Sequence, residues 1–333
     1  MSKVMESIKK RAAELKKHIV LPEGEDSRVV EAAAKAVKEG IASVTLLGDE
    51  KSIRENNPGV DLSGVNIVNP KTSDKLPVYQ KLLYDLRKSK GMTEEQALET
   101  AKDNTYFGVL MLKNGDVDGL VSGACHSTAN TLRPGLQIIK TAPGVPLVSS
   151  YFLMVAPECG NQYCEDGAYI YSDCGLKENP NSDELAYIAI ASAKSAEIIA
   201  GLSPRIAMLS FSTKGSAKHA DIDKVTAALA KVKELAPELN IDGELQLDAA
   251  IVPSVAKSKA PGSPVAGHAN VLIFPDLDAG NIGYKLTERL GGFQAVGPLC
   301  QGFAKPINDL SRGCKADDVV AAIAITALQT LIK

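Results

Sequence analysis

The chain predicts an α/β fold built around parallel sheets, and three observations carry that expectation. Short apolar runs rich in β-branched residues recur between longer segments of helical period, the pattern a parallel sheet with crossover helices requires. Hydrophobic residues make up 45% and charged ones 23% of the 333 residues, the balance of an ordinary soluble globular protein. No tract approaches the ~20 consecutive apolar residues of a membrane-spanning helix.

The first seventeen residues scatter Lys, Arg and Glu without an apolar h-region, so they read as an amphipathic helix rather than a signal peptide. A cytoplasmic location is then the default. Strands are expected at 18–21, 43–47, 66–68, 119–122, 147–155, 206–211, 245–247 and 271–274. Helices are expected at 28–38, 77–88, 93–102, 182–200, 220–235, 282–290 and 317–331. The last of these is apolar on nearly every side, through Val319, Ile323, Ile325, Leu328 and Leu331, and belongs in a core.

The length suits roughly two domains. One boundary falls near 141–146, where Ala142, Pro143, Gly144, Val145 and Pro146 interrupt the pattern, and a second near Gly302. No low-complexity linker or internal repeat separates them. Short crossings between two such domains enclose a cleft, the default place for a ligand.

The formal net charge is -3, from 37 basic and 40 acidic residues, and aromatic residues are 5% with no Trp. That composition argues against a nucleic-acid binder, which combines a basic surface with stacking aromatics. Any anion site must be local. The cysteines Cys125, Cys159, Cys164, Cys174, Cys300 and Cys314 form no Cys-x-x-Cys pair and no zinc spacing with the four histidines. They read as reduced, mostly buried packing residues, and no metal site is expected.

Four polar loops stand where strands end or helices begin. The richest runs from Lys305 to Cys314 and leads into Asp317 and Asp318. It holds the hydroxyl of Ser311, the permanently charged fork of Arg312 and a carboxylate, Asp318, at the start of a helix whose N–H groups attract anions. Gly119 to Pro134 offers Ser127, Thr128 and Arg133. Leu209 to Ser216 offers Lys214 and Ser216 without the Gly-x4-Gly-Lys spacing of a P-loop. Ile273 to Lys285 offers Asn281, which also suits a helix N-cap. Each loop alone has an ordinary reading, since Ser, Thr and Gly serve αβ turns and Asp serves first helical turns. Together they suggest one converging site for a multiply phosphorylated small molecule.

The 212–216 loop Ser-Thr-Lys-Gly-Ser, Pro275-Asp276-Leu277 with Gly280-Asn281, and the 305–313 run Lys-Pro-Ile-Asn-Asp-Leu-Ser-Arg-Gly together resemble phosphate acetyltransferases. So do Gly123 to Pro134, Leu86-Arg87-Lys88, and Asp242 to Gln246 with Asp248-Ala249-Ala250. The resemblance spans essentially the whole chain and matches the short form of the family, without its extra N-terminal regulatory region. It implies two α/β/α domains like the isocitrate/isopropylmalate dehydrogenase fold with an interdomain cleft. These are 1–144 with 302–333, and 145–301. It also implies a homodimer, metabolic coupling to an acetate kinase, and neither nucleic-acid nor membrane partners.

The implied reaction is reversible transfer of acetyl between acetyl phosphate and coenzyme A, with coenzyme A as a substrate and no prosthetic group. By resemblance, Ser311 and Arg312 bind the acyl phosphate and steady the oxyanion, and Asp318 takes the thiol proton. Arg87 and Arg133 serve substrate phosphates, with Arg28 and Arg289 as further candidates. A free carboxylate near ~3.9 facing a thiol near ~8.5 implies a proton-transfer penalty of roughly 6 kcal/mol. Burial of Asp318 beside the last helix, and stabilisation of the thiolate by Arg312, are expected to reduce it. Direct thiolate attack in a ternary complex needs no metal. A covalent route through Cys159 is the alternative, and His126 is either a base or a packing residue.

Three other functions are compatible with parts of the pattern: transfer of a longer acyl group such as butyryl, a nicotinamide-dependent dehydrogenase on the same fold, and a noncatalytic sensor of acetyl phosphate or coenzyme A. No Gly-x-Gly-x-x-Gly follows a strand, and Ser311, Arg312 and Asp318 occur together, which disfavours the last two.

Overall fold

The computed structural model describes residues 2–157, 160–164 and 166–332. The chain divides into two compact units, one of Ser7–Pro143 with Phe303–Leu331, the other of Gly144–Gly302 with the first residues of the chain.

The chain opens with α1 (Lys3–Glu14), and the first unit continues through β1 (His18–Leu21), α2 (Ser27–Lys38), β2 (Ser43–Leu47), α3 (Glu50–Asn56), β3 (Asn66–Val68), α4 (Leu76–Arg87), α5 (Glu94–Ala101), α6 (Asn104–Asn114), β4 (Gly119–Ser122) and α7 (Thr128–Ile138). The second unit holds β5 (Ser149–Val155), β6 (Ala168–Ser172), α8 (Ser182–Ser195), β7 (Ile206–Leu209), α9 (Ala220–Leu235), β8 (Ile241–Leu245), α10 (Leu247–Ile251), α11 (Pro253–Lys259), β9 (Val271–Ile273), α12 (Leu277–Arg289) and β10 (Gln294–Gln301). The chain then returns to the first unit with β11 (Ile307–Asp309) and α13 (Ala316–Gln329).

In the first unit five strands pair in parallel in the order β11-β4-β1-β2-β3. β1 lies in the middle, and the chain builds outward from it to β2 and β3 before crossing back to β4 and β11. The β1/β4 junction is therefore the topological switch point, where ligands of open α/β sheets bind beyond the carboxyl ends of the strands. α13 packs against α2, β1, β4 and β11, with every residue from Val319 to Gln329 buried. Each large aliphatic side chain removed from water there contributes about 1.5–3 kcal/mol. Polar side chains inside this layer pair with one another: Asn308 Nδ2 donates to Thr326 Oγ1 and Gln329 Oε1, both at 2.7 Å.

The second sheet has six strands in the order β10-β5-β6-β9-β7-β8. It is mixed rather than parallel, because β5 runs antiparallel to both β6 and β10. The pattern of the sequence misses β10 because Gly297 and Pro298 interrupt it, and the pairing with β5 shifts register there. β8 covers 241–245 rather than the expected 245–247, since Asp242 and Glu244 are buried strand residues whose polarity hides the strand. α6, unpredicted, is enclosed from Phe107 through Leu112, so it shows no polar face to give it a period. α12 begins at Leu277, capped by Asp276, which accepts from Ala279 N at 2.9 Å. Asn281 is thus inside the helix, not its cap. Among the described residues no helix is long and apolar enough to cross a membrane.

Candidate active site

The carboxyl edge of the first sheet gathers most of the expected site residues. β1 ends at Leu21 and is followed by Pro22, Glu23, Gly24, Glu25 and Asp26, of which Asp26 caps α2. β4 ends at Ser122 and is followed by the Gly123–Ser127 loop, with Ser127 capping α7 by accepting from Asn130 N at 3.3 Å. β11 ends at Asp309 and is followed by Leu310 to Lys315 and α13.

Glu23, absent from the candidates above, organises this edge. Its carboxylate is 1% exposed and accepts the amides of Gly123 and Ala124 at 2.8 Å, Cys125 at 3.0 Å and His126 at 3.1 Å. His126 Nδ1 lies 2.7 Å from Glu23 Oε1. Burial opposes ionisation, but the Cys125 and Ala124 amides and the His126 ring outweigh it and hold Glu23 below the usual carboxylate range. The loop expected to cradle phosphate has thus given these four N–H groups to the protein's own anion. Glu23, Cys125 and His126 also bring possible metal-ligating atoms within 4.8 Å of one another, yet the amide hydrogens crowding the Glu23 oxygens oppose a cation there.

Arg28 ties this loop to the next one. Its Nε and Nη2 donate to Asp26 Oδ1 at 3.0 Å and Oδ2 at 2.6 Å, Nη2 also to Ala124 O at 2.8 Å, and Nη1 to the carbonyls of Arg312 and Cys314, both at 2.8 Å. Five donors meet five acceptors, which is the full capacity of a guanidinium. Arg28 is therefore a brace between these loops, with every donor engaged inside the protein.

Ser311 and Arg312 are exposed, and the Arg312 guanidinium has no partner among the described residues. Ser311 Oγ accepts from Gly313 N at 3.3 Å. Asp318 accepts from Lys315 N at 2.8 Å, capping its own helix, and is half-buried rather than enclosed as expected. Between the loops lies Asp309, 3% exposed, with Oδ1 lacking a hydrogen-bond partner. Burial pushes its carboxyl up to about 6, with the Thr128 and Thr131 hydroxyls opposing and Glu23 adding to the rise. The buried Cys314 thiol is raised by burial; Arg28 opposes, while Asp318, Asp26 and Glu23 add to the rise, so these groups share one electrostatic neighbourhood.

Arg87 at the end of α4 and Arg133 on α7 both act on the phenol of Tyr106, which burial raises and the two arginines lower. The Arg87 Nε is buried without a partner. Thr128 and Arg133 sit five residues apart on one helix, about 7.5 Å along its axis. A cavity of about 270 Å³ opens beside the β1–α2 turn, lined among others by Glu25, Asp49, Ser52, Asn69 and Asn104.

In the second unit the expected phosphate loops close on internal carboxylates. Lys214 Nζ bonds Asp242 Oδ1 at 2.5 Å and Gly243 O at 3.0 Å. Ser216 Oγ accepts from Thr213 N and pairs with Ser212 Oγ, both at 3.1 Å, while buried Glu244 accepts from Ser212 Oγ and Gly215 N. Asp173 likewise takes the amides of Gly175, Leu176 and Lys177. Asn281 Nδ2 donates to Cys174 O at 3.2 Å. Lys214, Ser216 and Asn281 thus hold their own loops. Arg289 is 79% exposed at the end of α12, beside Glu288. Cys164, Cys174, Cys300 and Cys314 are buried as expected, Cys125 is exposed, and Cys159 lies outside the described residues.

At the carboxyl edge of this parallel sheet an unpaired arginine fork, a hydroxyl and a carboxylate stand within one short segment, a set of groups that can hold an anionic ligand. The family model for phosphate acetyl/butaryl transferase matches residues 3–327, and the chain belongs to that family. The phosphate acetyltransferase of Acetivibrio thermocellus is 58% identical over 325 residues, covering 98% of this chain and 97% of that one. A phosphotransacetylase structure from Streptococcus pyogenes superposes with a TM-score of 0.92 at 43% identity, covering 100% of both chains. A branched-chain phosphotransacylase from Enterococcus faecalis, at 19% identity and TM-score 0.68 over 94% of this chain and 99% of that one, shares the fold.

Proposed function

We propose that this chain catalyses reversible acetyl transfer between acetyl phosphate and coenzyme A, with coenzyme A as a substrate and no prosthetic group. The carrying observation is the Arg312 fork, exposed and unpaired beside the Ser311 hydroxyl while its main chain is braced by Arg28. An arginine so placed binds a phosphoryl group through two parallel hydrogen bonds and stabilises negative charge growing on the attacked carbonyl. Asp318 accepts the thiol proton, the thiolate attacks directly in a ternary complex, and phosphate leaves. Arg87 and Arg133, sharing the Tyr106 neighbourhood, meet phosphates of coenzyme A.

The finer architecture is two α/β/α domains, 1–144 with 302–333 and 145–301, of the isocitrate/isopropylmalate dehydrogenase type. The protein acts as a homodimer in the cytoplasm, coupled to an acetate kinase. Ile282, Leu286 and Leu290, spaced by four on one face of α12 and its end and exposed by 58%, 52% and 82%, support a self-association surface. Transfer of butyryl is the second reading, favoured by the family's joint acetyl/butaryl description.

Purified protein given acetyl phosphate and coenzyme A should form thioester and phosphate in equal, catalytic amounts. Binding without thioester would point to a sensor. Parallel rates with butyryl phosphate decide the acyl chain, and sedimentation decides the dimer.

A further inference from the structure

Thioester formation from an acyl phosphate moves two protons, and the residues assigned above handle one. The thiol loses its proton to Asp318. The departing phosphate must gain one, because breaking the acyl C–O bond of the dianion otherwise expels a trianion, a poor leaving group. Arg312 holds its protons throughout and cannot supply it.

The β4–α7 loop contains a group that can. Glu23 is an ionised carboxylate that only accepts hydrogen bonds, so His126 Nδ1, 2.7 Å from it, carries the proton of that contact. The opposite nitrogen, Nε2, has no partner among the described residues, and the side chain is 31% exposed. A ring aimed by a buried carboxylate with its far edge open is the arrangement used for proton transfer. Its location agrees. Glu23 and His126 flank the β1/β4 switch point, and Arg28 binds Ala124 O of this same loop to Arg312 O and Cys314 O.

We propose that His126, oriented by Glu23, is the general acid that protonates the departing phosphate oxygen, which rests on the acyl-transfer reading above. The thiolate electron pair forms the C–S bond, and the C–O bond breaks with its pair moving to the phosphoryl oxygen. That oxygen takes the Nε2 proton of the imidazolium. The ring is left neutral with its Nδ1 hydrogen on Glu23, hydrogen phosphate departs, and solvent returns a proton to Nε2. In the reverse direction the neutral ring takes the phosphate proton. The charged and titratable groups around the ring are Glu23 and Cys125 in contact with it, Glu25 beside the Cys125 thiol, and Arg28 and Asp309 about Glu23.

His126→Asn keeps a donor where Nδ1 stands, preserving the bond to Glu23 while deleting Nε2. In the full-length protein its single-turnover rate of thioester formation should fall about 10²-fold or more, with KM for acetyl phosphate changed less than about threefold. The wild-type rate should decline on the basic side of its pH profile, and that limb should vanish in the variant. A variant within about threefold of wild type with the same profile overturns the proposal. So does a wild-type profile lacking that limb, a result that needs no variant to fold. Wild-type protein forming no thioester would instead overturn acyl transfer itself.

Discussion

Arg28 Nη1 donates to the main-chain carbonyl of Arg312 at 2.8 Å, so one arginine holds another through its backbone and leaves the second fork open. The same nitrogen reaches Cys314 O, and Nη2 reaches Ala124 O across the sheet edge. Arg312 is therefore placed by an ion-paired brace on its main chain rather than by its own side-chain contacts.

Replacing Arg28 with Lys should disrupt that brace, because a point charge with three donors cannot span three carbonyls and Asp26. We expect kcat/KM to fall at least about tenfold and stability to fall by about 1–3 kcal/mol. Steady-state kinetics and thermal unfolding on the same preparation check both effects. Unchanged kinetics would detach Arg28 from the site.

Asp318→Asn retains an oxygen to accept from Lys315 N while removing the proton acceptor. Turnover should drop by about 10²-fold or more, with coenzyme A binding nearly intact. Titration calorimetry beside kinetics separates the two quantities, and normal turnover would remove Asp318 from the mechanism.

Asp309 predicts a pH effect with a definite sign. Its native carboxyl keeps its proton up to about pH 6, whereas an unfolded one loses it near 3.8, so the native state binds more protons between those values. Stability from this group is complete below 3.8 and is lost as pH rises through 6, by about 3 kcal/mol. Asp309→Asn stays neutral. The stability of the variant relative to wild type should therefore improve by about that amount between pH 4 and pH 8, measured by urea unfolding at each pH. An equal difference at both would refute the assignment.

Gly123 has φ +110, and a Cβ there would lie 2.2 Å from Asp309 Oδ1 and 2.5 Å from Leu310 N. Gly123→Ala must push the β4 and β11 loops apart. A loss of at least about 2 kcal/mol in chemical denaturation is expected, with reduced turnover. Wild-type stability would show that the loops can separate freely.

Lys214 serves Asp242, whose side chain is only 7% exposed. Lys214→Met should destabilise by about 3 kcal/mol through the stranded carboxylate, yet leave KM for both substrates within about threefold. A large KM increase at unchanged stability would restore Lys214 as a substrate ligand.

The polar loops illustrate how far the sequence could be read. Ser, Thr, Gly and Lys after a strand signal anion binding, and anions do occupy two of these loops: Glu23 in one, Glu244 in another. The chemistry was legible and the occupant was not, since the carboxylates come from segments 29 to 103 residues away in the chain. Glu23 had one local signal, its place in an acidic, glycine-containing turn directly beyond a strand. Asn281 misled because a cap is recognised by residue type, and Asp276 was an equally good one five residues earlier.

Local pattern was sufficient for the α/β class, for most strands of the first sheet, for the buried last helix and for the Ser311–Arg312–Asp318 segment, because side-chain period and motif spacing are properties of contiguous residues. Tertiary structure alone decided the antiparallel β5 and β10, the brace that consumes every donor of Arg28, and the Glu23–His126 pair. Each of those depends on which distant groups satisfy a buried hydrogen-bonding atom, and that choice is made only when the strands are aligned.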